Sequence, residues 1–168
     1  MIISSTALTR QLAYLRKQPY YETIKATCLM QGLPLAFVLA VASRETNMRN
    51  VLGDGDQGVG LMQVDIRYHV IAKTMKLDGS WKTGPEPLIV YAIKLLSNNY
   101  QWAKRTWPQY GERGWLKIAA SAYNAGCTNA RKGVAAGDSD LRTTGKDYGA
   151  DVLARADSLR EMLLCPEP

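Results

Sequence analysis

Four acidic residues lie close together in one stretch of this chain: Glu45, Asp54, Asp56 and Asp65. Glu45 ends an apolar run, PLAFVLAVASRE, that begins at Pro34. Proline suits the first turn of a helix, and a short helix that is apolar on every side belongs at the centre of a domain. A carboxyl group in the last turn of such a helix is disfavoured as a carboxylate by its apolar surroundings and again by the negative end of the helix dipole. Neighbouring Arg44 opposes both effects. A carboxyl kept protonated near neutral pH is what a general acid needs. In the plainer reading, Glu45 simply emerges into solvent at the helix end. Asp54 and Asp56 fall in NMRNVLGDGDQGVG, a loop or tight hairpin, and Asp65 closes GLMQVD. An acid and a separate carboxylate, flanking a sugar bond with room for water between them, would make an inverting glycosidase. Asp and Gly are also the default turn residues, and the competing reading makes Asp54 and Asp56 hairpin chemistry only.

Other chemistries find less support. Segment 54–65 places Asp at the first, third and last positions of a calcium loop, but Val59 stands where that loop requires Gly and Gly58 where it needs an oxygen ligand. Calcium is set aside, and no metal or cofactor is expected. The single histidine, His69, excludes a multi-His metal site and an HExxH protease. It falls in a helical pattern, IRYHVIAK, with no nucleophile elbow elsewhere in the chain. There is no Walker A sequence and no GxGxxG. Cys28, Cys127 and Cys165 are far apart and form no CxxC pair; three buried thiols are expected.

The elements that must position the acids are mostly helical. Ser4 or Ser5 caps a helix with Leu8, Leu12 and Leu15 on one face. A second helix, about Tyr20 to Gln31, stops at Gly32. The apolar helix 34–45 follows, then the Gly- and Asp-rich stretch, with GLMQVD a short strand or the start of a helix. Helical patterns resume at about Ile66–Met75, Pro87–Trp107, Trp115–Tyr123, Asn129–Ala135 and Asp147–Leu164. With 168 residues, this is one domain without a linker or internal repeat.

Lys and Arg outnumber Asp and Glu by 21 to 15, for a net charge of +6. Such a chain is drawn to polyanions: nucleic acid, anionic lipid or an acidic cell-wall polymer. The densest basic groups, Arg16-Lys17, Lys104-Arg105 and Arg131-Lys132, are short, and each taken singly reads as solvated surface. The longest apolar stretch, Leu33 to Ala42, is about half of what crosses a bilayer, so no membrane insertion is expected. The N-terminus has no signal-peptide pattern, which leaves a protein made in the cytoplasm.

Ser43-Arg44-Glu45, Val51-Leu52, Gly60-Leu61-Met62-Gln63-Val64-Asp65 and Ser121-Ala122-Tyr123-Asn124-Ala125-Gly126, followed by Asp147-Tyr148 and Asp151–Ala156, resemble the goose-type lysozymes. The motifs keep the family's order over about residues 33–160, with 1–32 as additional N-terminal helices. The wider lytic-transglycosylase superfamily shares the Glu, GLMQ and AYN-G elements, whereas the Val64-Asp65 continuation is similar to the lysozyme branch. The resemblance implies a mainly α, lysozyme-like fold with a small β hairpin beside an active-site cleft. It implies hydrolysis of the β-1,4 bond between N-acetylmuramic acid and N-acetylglucosamine, with inversion; the alternative is a lytic transglycosylase with Glu45 as sole acid and base. Glu45 matches the catalytic acid and Asp65 the second carboxylate. Asp54 matches the other water-activating aspartate if the loop's gap lies before Gly53, with Asp56 its rival. Tyr123 and Asn124 match residues near the reacting sugar, and Gln63 and Tyr148 match positions lining the cleft, although Tyr123, Met62 and Gly60 could be explained by packing. The implied partner is bacterial peptidoglycan, with nucleic acid not expected. Action in the periplasm or outside the cell would require phage lysis or a type VI secretion system, and the latter would bring a cognate immunity or inhibitor protein that plugs the cleft.

Overall fold

The structure is a computed structural model that describes residues 3–164. The chain runs through helices α1 (Ser5–Arg16), α2 (Tyr21–Gln31) and α3 (Leu35–Thr46), then strands β1 (Leu52–Gly53), β2 (Gly58–Val59) and β3 (Val64–Asp65). Helices α4 (Val70–Asp78), α5 (Ser80–Thr83), α6 (Glu86–Thr106), α7 (Gly111–Ala125), α8 (Cys127–Ala135) and α9 (Tyr148–Leu164) complete it, with single helical turns before α7 and between α8 and α9. The mainly helical lysozyme-like architecture expected from the sequence is present.

Local chemistry explains the boundaries. The Ser4 hydroxyl accepts from the Ala7 N–H at 3.3 Å and starts α1, which buries Leu8, Leu12 and Leu15. α2 ends where Gly32 enters the left-handed region at φ 62°, letting the Leu33 N–H reach the Cys28 carbonyl. α3 is buried on all sides from Ala36 to Ser43 and packs most extensively against α9. It ends on Asn47 and Met48, both at positive φ, with the Met48 N–H returning to the Ala42 carbonyl. Asparagine tolerates that conformation; methionine is held in it by complete burial.

The loop after α3 is a hairpin extended by one strand. β1 and β2 pair antiparallel with Leu52 opposite Val59, and β3 adds to β2 with Gly58 opposite Asp65. GLMQVD is therefore a turn into a strand. Asp54, Gly55 and Asp56 all adopt positive φ at the hairpin tip, the conformation for which Asp and Gly are suited.

Two expectations fail. The helix predicted to begin near Ile66 begins at Val70, because the Asp65 carboxylate accepts the Arg67 N–H at 2.8 Å and its carbonyl accepts the Tyr68 and His69 N–H groups. That local turn consumes the residues a helix would have used, and His69 sits in extended conformation before α4. Cys28 is buried but Cys127 is exposed at the start of α8; Cys165 lies outside the described residues.

Candidate active site

Three consecutive residues at the end of α3 have three separate tasks. The Ser43 hydroxyl donates to Gln11 Oε1 at 2.6 Å and accepts from Arg155 of α9 at 2.8 Å. Arg44 reaches Asp147 and Asp151, each at 3.1 Å, and Arg155 also holds Asp151 at 2.8 Å. Ser43, Asp151 and Arg155 are buried, so this network joins α1, α3 and α9 in the interior. Removing one partner of such a network leaves an uncompensated charge, which makes the register of α3 on α9 stringent. Glu45 is then the residue left to face the groove. Thr46, next in line, donates to the Leu61 carbonyl at 2.8 Å and fastens this helix end to the sheet.

Glu45 accepts a short hydrogen bond from the Tyr148 hydroxyl. Burial pushes its carboxyl above the usual range, against the opposing pull of the Tyr148 hydrogen bond and the Arg44 charge. The sequence resemblance placed Tyr148 on the cleft wall. Instead its side chain is 2% exposed and lies behind Glu45. The reason is the start of α9. Asp140, 1% exposed, accepts the Gly149 and Ala150 N–H groups at 2.7 and 2.9 Å and the Ser121 hydroxyl at 2.8 Å. A Cβ on Gly149 would come within 2.7 Å of the Lys117 carbonyl of α7, so only glycine lets α9 approach this closely. The clamped first turn presents the Tyr148 ring inward to Glu45.

A groove of about 850 Å³ runs past Glu45 between the helices and the sheet. Asp54, Gln63, Asp65, Tyr123 and Asn124 share its walls. The structure thus brings five of the predicted residues to one groove with Glu45. Asp56 lies outside that wall at the hairpin tip, where its carbonyl accepts from Lys76 Nζ at 2.5 Å. Gln63, at φ 50°, turns its amide back into the sheet and donates to the Val51 and Gly60 carbonyls, both at 2.9 Å. Its Oε1 lies where a Cβ on Gly53 or Gly58 would be, within 2.2 and 2.3 Å. Those two facing glycines are therefore required for Gln63 to pack across the hairpin. The Tyr123 hydroxyl donates to the Met62 carbonyl at 2.8 Å, tying α7 to the sheet across the groove floor. Asn124 Oδ1 accepts the Thr144 N–H at 2.8 Å.

Arg67 is the residue that the sequence reading missed. Its guanidinium bonds the Asp65 carboxylate through Nε at 3.0 Å and Nη2 at 2.5 Å, and reaches Asp54 at 3.1 Å. The two aspartates meet through this one cation. Its hydrogen bonds and charge hold the Asp65 carboxyl below the usual carboxylate range. The sequence signal was the Asp65-x-Arg67 spacing, which an Asx turn brings together. His69 also lines the groove, with its Nδ1 3.0 Å from the Tyr91 hydroxyl. Among the described residues no helix is long and apolar enough to cross a membrane.

A mainly helical domain whose central helix delivers a half-buried carboxyl of raised pKa to a groove, with an aspartate of lowered pKa on a small sheet, has the architecture of the lysozyme-like glycoside hydrolases. Comparison with known proteins makes this specific. The family model for Lysozyme g matches residues 4–162, taking in α1 and α2 as well as the stretch that carries the motifs. The chain is 32% identical to Lysozyme g of Gallus gallus over 162 residues, covering 94% of this chain and 71% of that protein. It is 30% identical to Lysozyme g of Cyprinus carpio over 86% of this chain and 75% of the relative. Against Lysozyme g of Struthio camelus identity is 34%, but the alignment spans 56% of the relative's length. The chain belongs to the lysozyme g family. It is a glycoside hydrolase with lysozyme activity on peptidoglycan.

Proposed function

We propose that this protein is a muramidase that hydrolyses the β-1,4 bond between N-acetylmuramic acid and N-acetylglucosamine with inversion. The observation that carries this reading is the placement of a half-buried Glu45 and two aspartates, Asp54 and Asp65, on the walls of one groove. Glu45, whose pKa burial raises, gives its proton to the leaving glycosidic oxygen. The Tyr148 hydroxyl occupies Oε1 and leaves the other carboxyl oxygen to carry that proton. Tyr148 is accordingly a positioning residue. On the opposite face a water attacks the anomeric carbon. Asp65, ionised through Arg67, orients this water, and Asp54, 71% exposed and held by one contact to Arg67, takes up its proton. Gln63, Tyr123 and Asn124 shape the surface against which the sugars lie.

One observation favours a second reading. An aspartate clamped by a guanidinium is a weak base, and Arg67 clamps both candidates. If neither accepts the water's proton, Glu45 acts first as acid and then as base, and the reaction is that of a lytic transglycosylase. Mass spectrometry of muropeptides released from purified peptidoglycan decides: reducing ends support hydrolysis and 1,6-anhydro ends overturn it. NMR of the first-formed anomer tests inversion, since early β product would refute it.

We place the action on the cell wall beyond the cytoplasm, delivered by phage lysis or a secretion system, with a groove-plugging inhibitor or immunity protein as its natural antagonist. In a Gram-negative host, expression with an added periplasmic signal should lyse cells, and expression of the same chain without it should not. Lysis by the untagged chain would overturn this placement.

A further inference from the structure

The hairpin tip carries Asp54 to the groove on a backbone that does not hold itself. Asp54, Gly55 and Asp56 stand at φ 52°, 58° and 69°, three left-handed residues in succession. L-residues visit that region singly, and such a run persists where surrounding contacts over-determine it. Packing does not supply those contacts. All three residues are exposed, and nothing lies within 4 Å of where a Cβ on Gly55 would stand. Within the hairpin, the Gln57 N–H closes the turn onto the Asp54 carbonyl at 3.1 Å. From outside it, among the described residues, two cations hydrogen-bond the tip. Arg67 holds the Asp54 carboxylate, and Lys76 Nζ of α4 donates to the Asp56 carbonyl at 2.5 Å.

The two grips differ in kind. Arg67 takes the carboxylate, the group that must turn to the water. Lys76 takes the main chain and leaves that carboxylate free to turn. Its support is firm, because α4 buries Ala72 and Met75 and packs against α6 and β3. Lys76 is itself half-buried, so its chain has less freedom to lose than that of a fully solvated lysine. Lys73, one turn earlier on α4, is exposed, and its ammonium bonds nothing among the described residues.

We propose that Lys76 is a positioning residue for the reaction: by gripping the Asp56 carbonyl it locks the left-handed tip and holds Asp54 within reach of the attacking water. Lys76 acts through the hairpin backbone, and Asp56 enters by its carbonyl and not by its carboxylate. The proposal rests on the reading of Asp54 as the group that takes the water's proton.

Lys76→Met keeps the aliphatic stem and removes the donor. With a soluble peptidoglycan fragment as substrate, kcat should fall roughly tenfold while KM stays within about twofold, since binding is retained and the geometry of attack is lost. Lys76→Arg restores a donor and should recover most of the activity. Lys73→Met removes the same charge one turn away and should behave as wild type. In the Asp54→Asn background, Lys76→Met should cost almost nothing further, because both changes remove one function. Hydrogen exchange reads the tip directly: the Gln57 N–H should exchange faster in Lys76→Met, with the urea midpoint of global unfolding nearly unchanged. An undiminished kcat in Lys76→Met, an equal loss in Lys73→Met, or full additivity with Asp54→Asn overturns the proposal. Wild-type kcat in Asp54→Asn, beside faster Gln57 exchange in Lys76→Met, would overturn the assignment of Asp54 as base, and the catalytic role of Lys76 with it, while leaving the tether in place.

Discussion

The two walls of the groove solve opposite electrostatic problems. The helical wall withdraws its carboxyl from water: half-buried Glu45 sits at the end of an apolar helix, backed by a network of Ser43, Arg44, Asp151 and Arg155, and accepts a hydrogen bond from the buried Tyr148. The sheet wall pairs its carboxyls with a cation: exposed Asp54 and half-buried Asp65 share Arg67. Burial favours the proton on Glu45, and the guanidinium expels it from Asp65. One fold thus shifts two carboxyls of the same groove in opposite directions, by partial burial on one side and by a charge on the other.

The largest effect follows from removing the proton donor. Glu45→Gln is nearly isosteric and should cost at least about a hundredfold in turbidity clearing with circular dichroism unchanged. More than a tenth of wild-type activity in a folded variant would show that Glu45 is not the acid. The same variant sharpens the comparison through stability. Because the folded-state pKa of Glu45 is raised, its contribution is fully present below the unfolded carboxylate pKa and is lost as pH rises through the folded value. Glu45→Gln should therefore gain thermal stability relative to wild type at neutral pH and not at pH 4.

Next comes the double variant Asp54→Asn/Asp65→Asn, expected to be far weaker than either single change while still binding sacculi. A greater loss from Asp56→Asn than from either would show that the hairpin tip, and not the groove wall, carries the water. Arg67→Gln should leave the alkaline limb of the pH–activity profile in place and move the acid limb to higher pH, because Asp65 loses the partner that lowers its pKa. Tyr148→Phe should do the converse. It deletes a hydrogen bond that favours the Glu45 carboxylate, so the alkaline limb should move up, with a loss on the order of tenfold. Movement of both limbs by either variant would mean that the walls are not electrostatically separate.

Asp140→Ala tests the support behind Tyr148. It orphans the Gly149 and Ala150 N–H groups, while the Ser121 hydroxyl keeps the Lys117 carbonyl and Ser139, and unfolding should become easier by on the order of 3 kcal/mol in denaturant titration. The smallest effect is that of salt. Raising ionic strength through 0.15 M, where screening acts over about 8 Å, should depress clearing of whole sacculi and barely touch a soluble chito-oligomer. Equal sensitivity on both substrates would make the positive charge incidental.

The sequence by itself determined the helical wall. Periodicity, Ser4, Gly32 and Pro34 bound α1 to α3 closely, because capping and proline geometry are local, and an all-apolar helix ending in SRE already implies a carboxyl with a raised pKa. The motifs placed Asp54, Gln63, Asp65, Tyr123 and Asn124 in one site. Other features were decided only in three dimensions. The Asx turn at Asp65 displaced the predicted helix start and turned Arg67 onto two aspartates, since a side chain competing for backbone N–H groups leaves no periodic trace. Tyr148 moved from the groove wall to behind Glu45 because a buried Asp140 and the close approach at Gly149 fix the first turn of α9 against α7. Lys104 and Arg131 are solvated charges in the sequence, and in the fold each lies over a tryptophan of another helix, Trp115 and Trp102 respectively, for charge patterning along a chain says nothing about which helices will lie side by side.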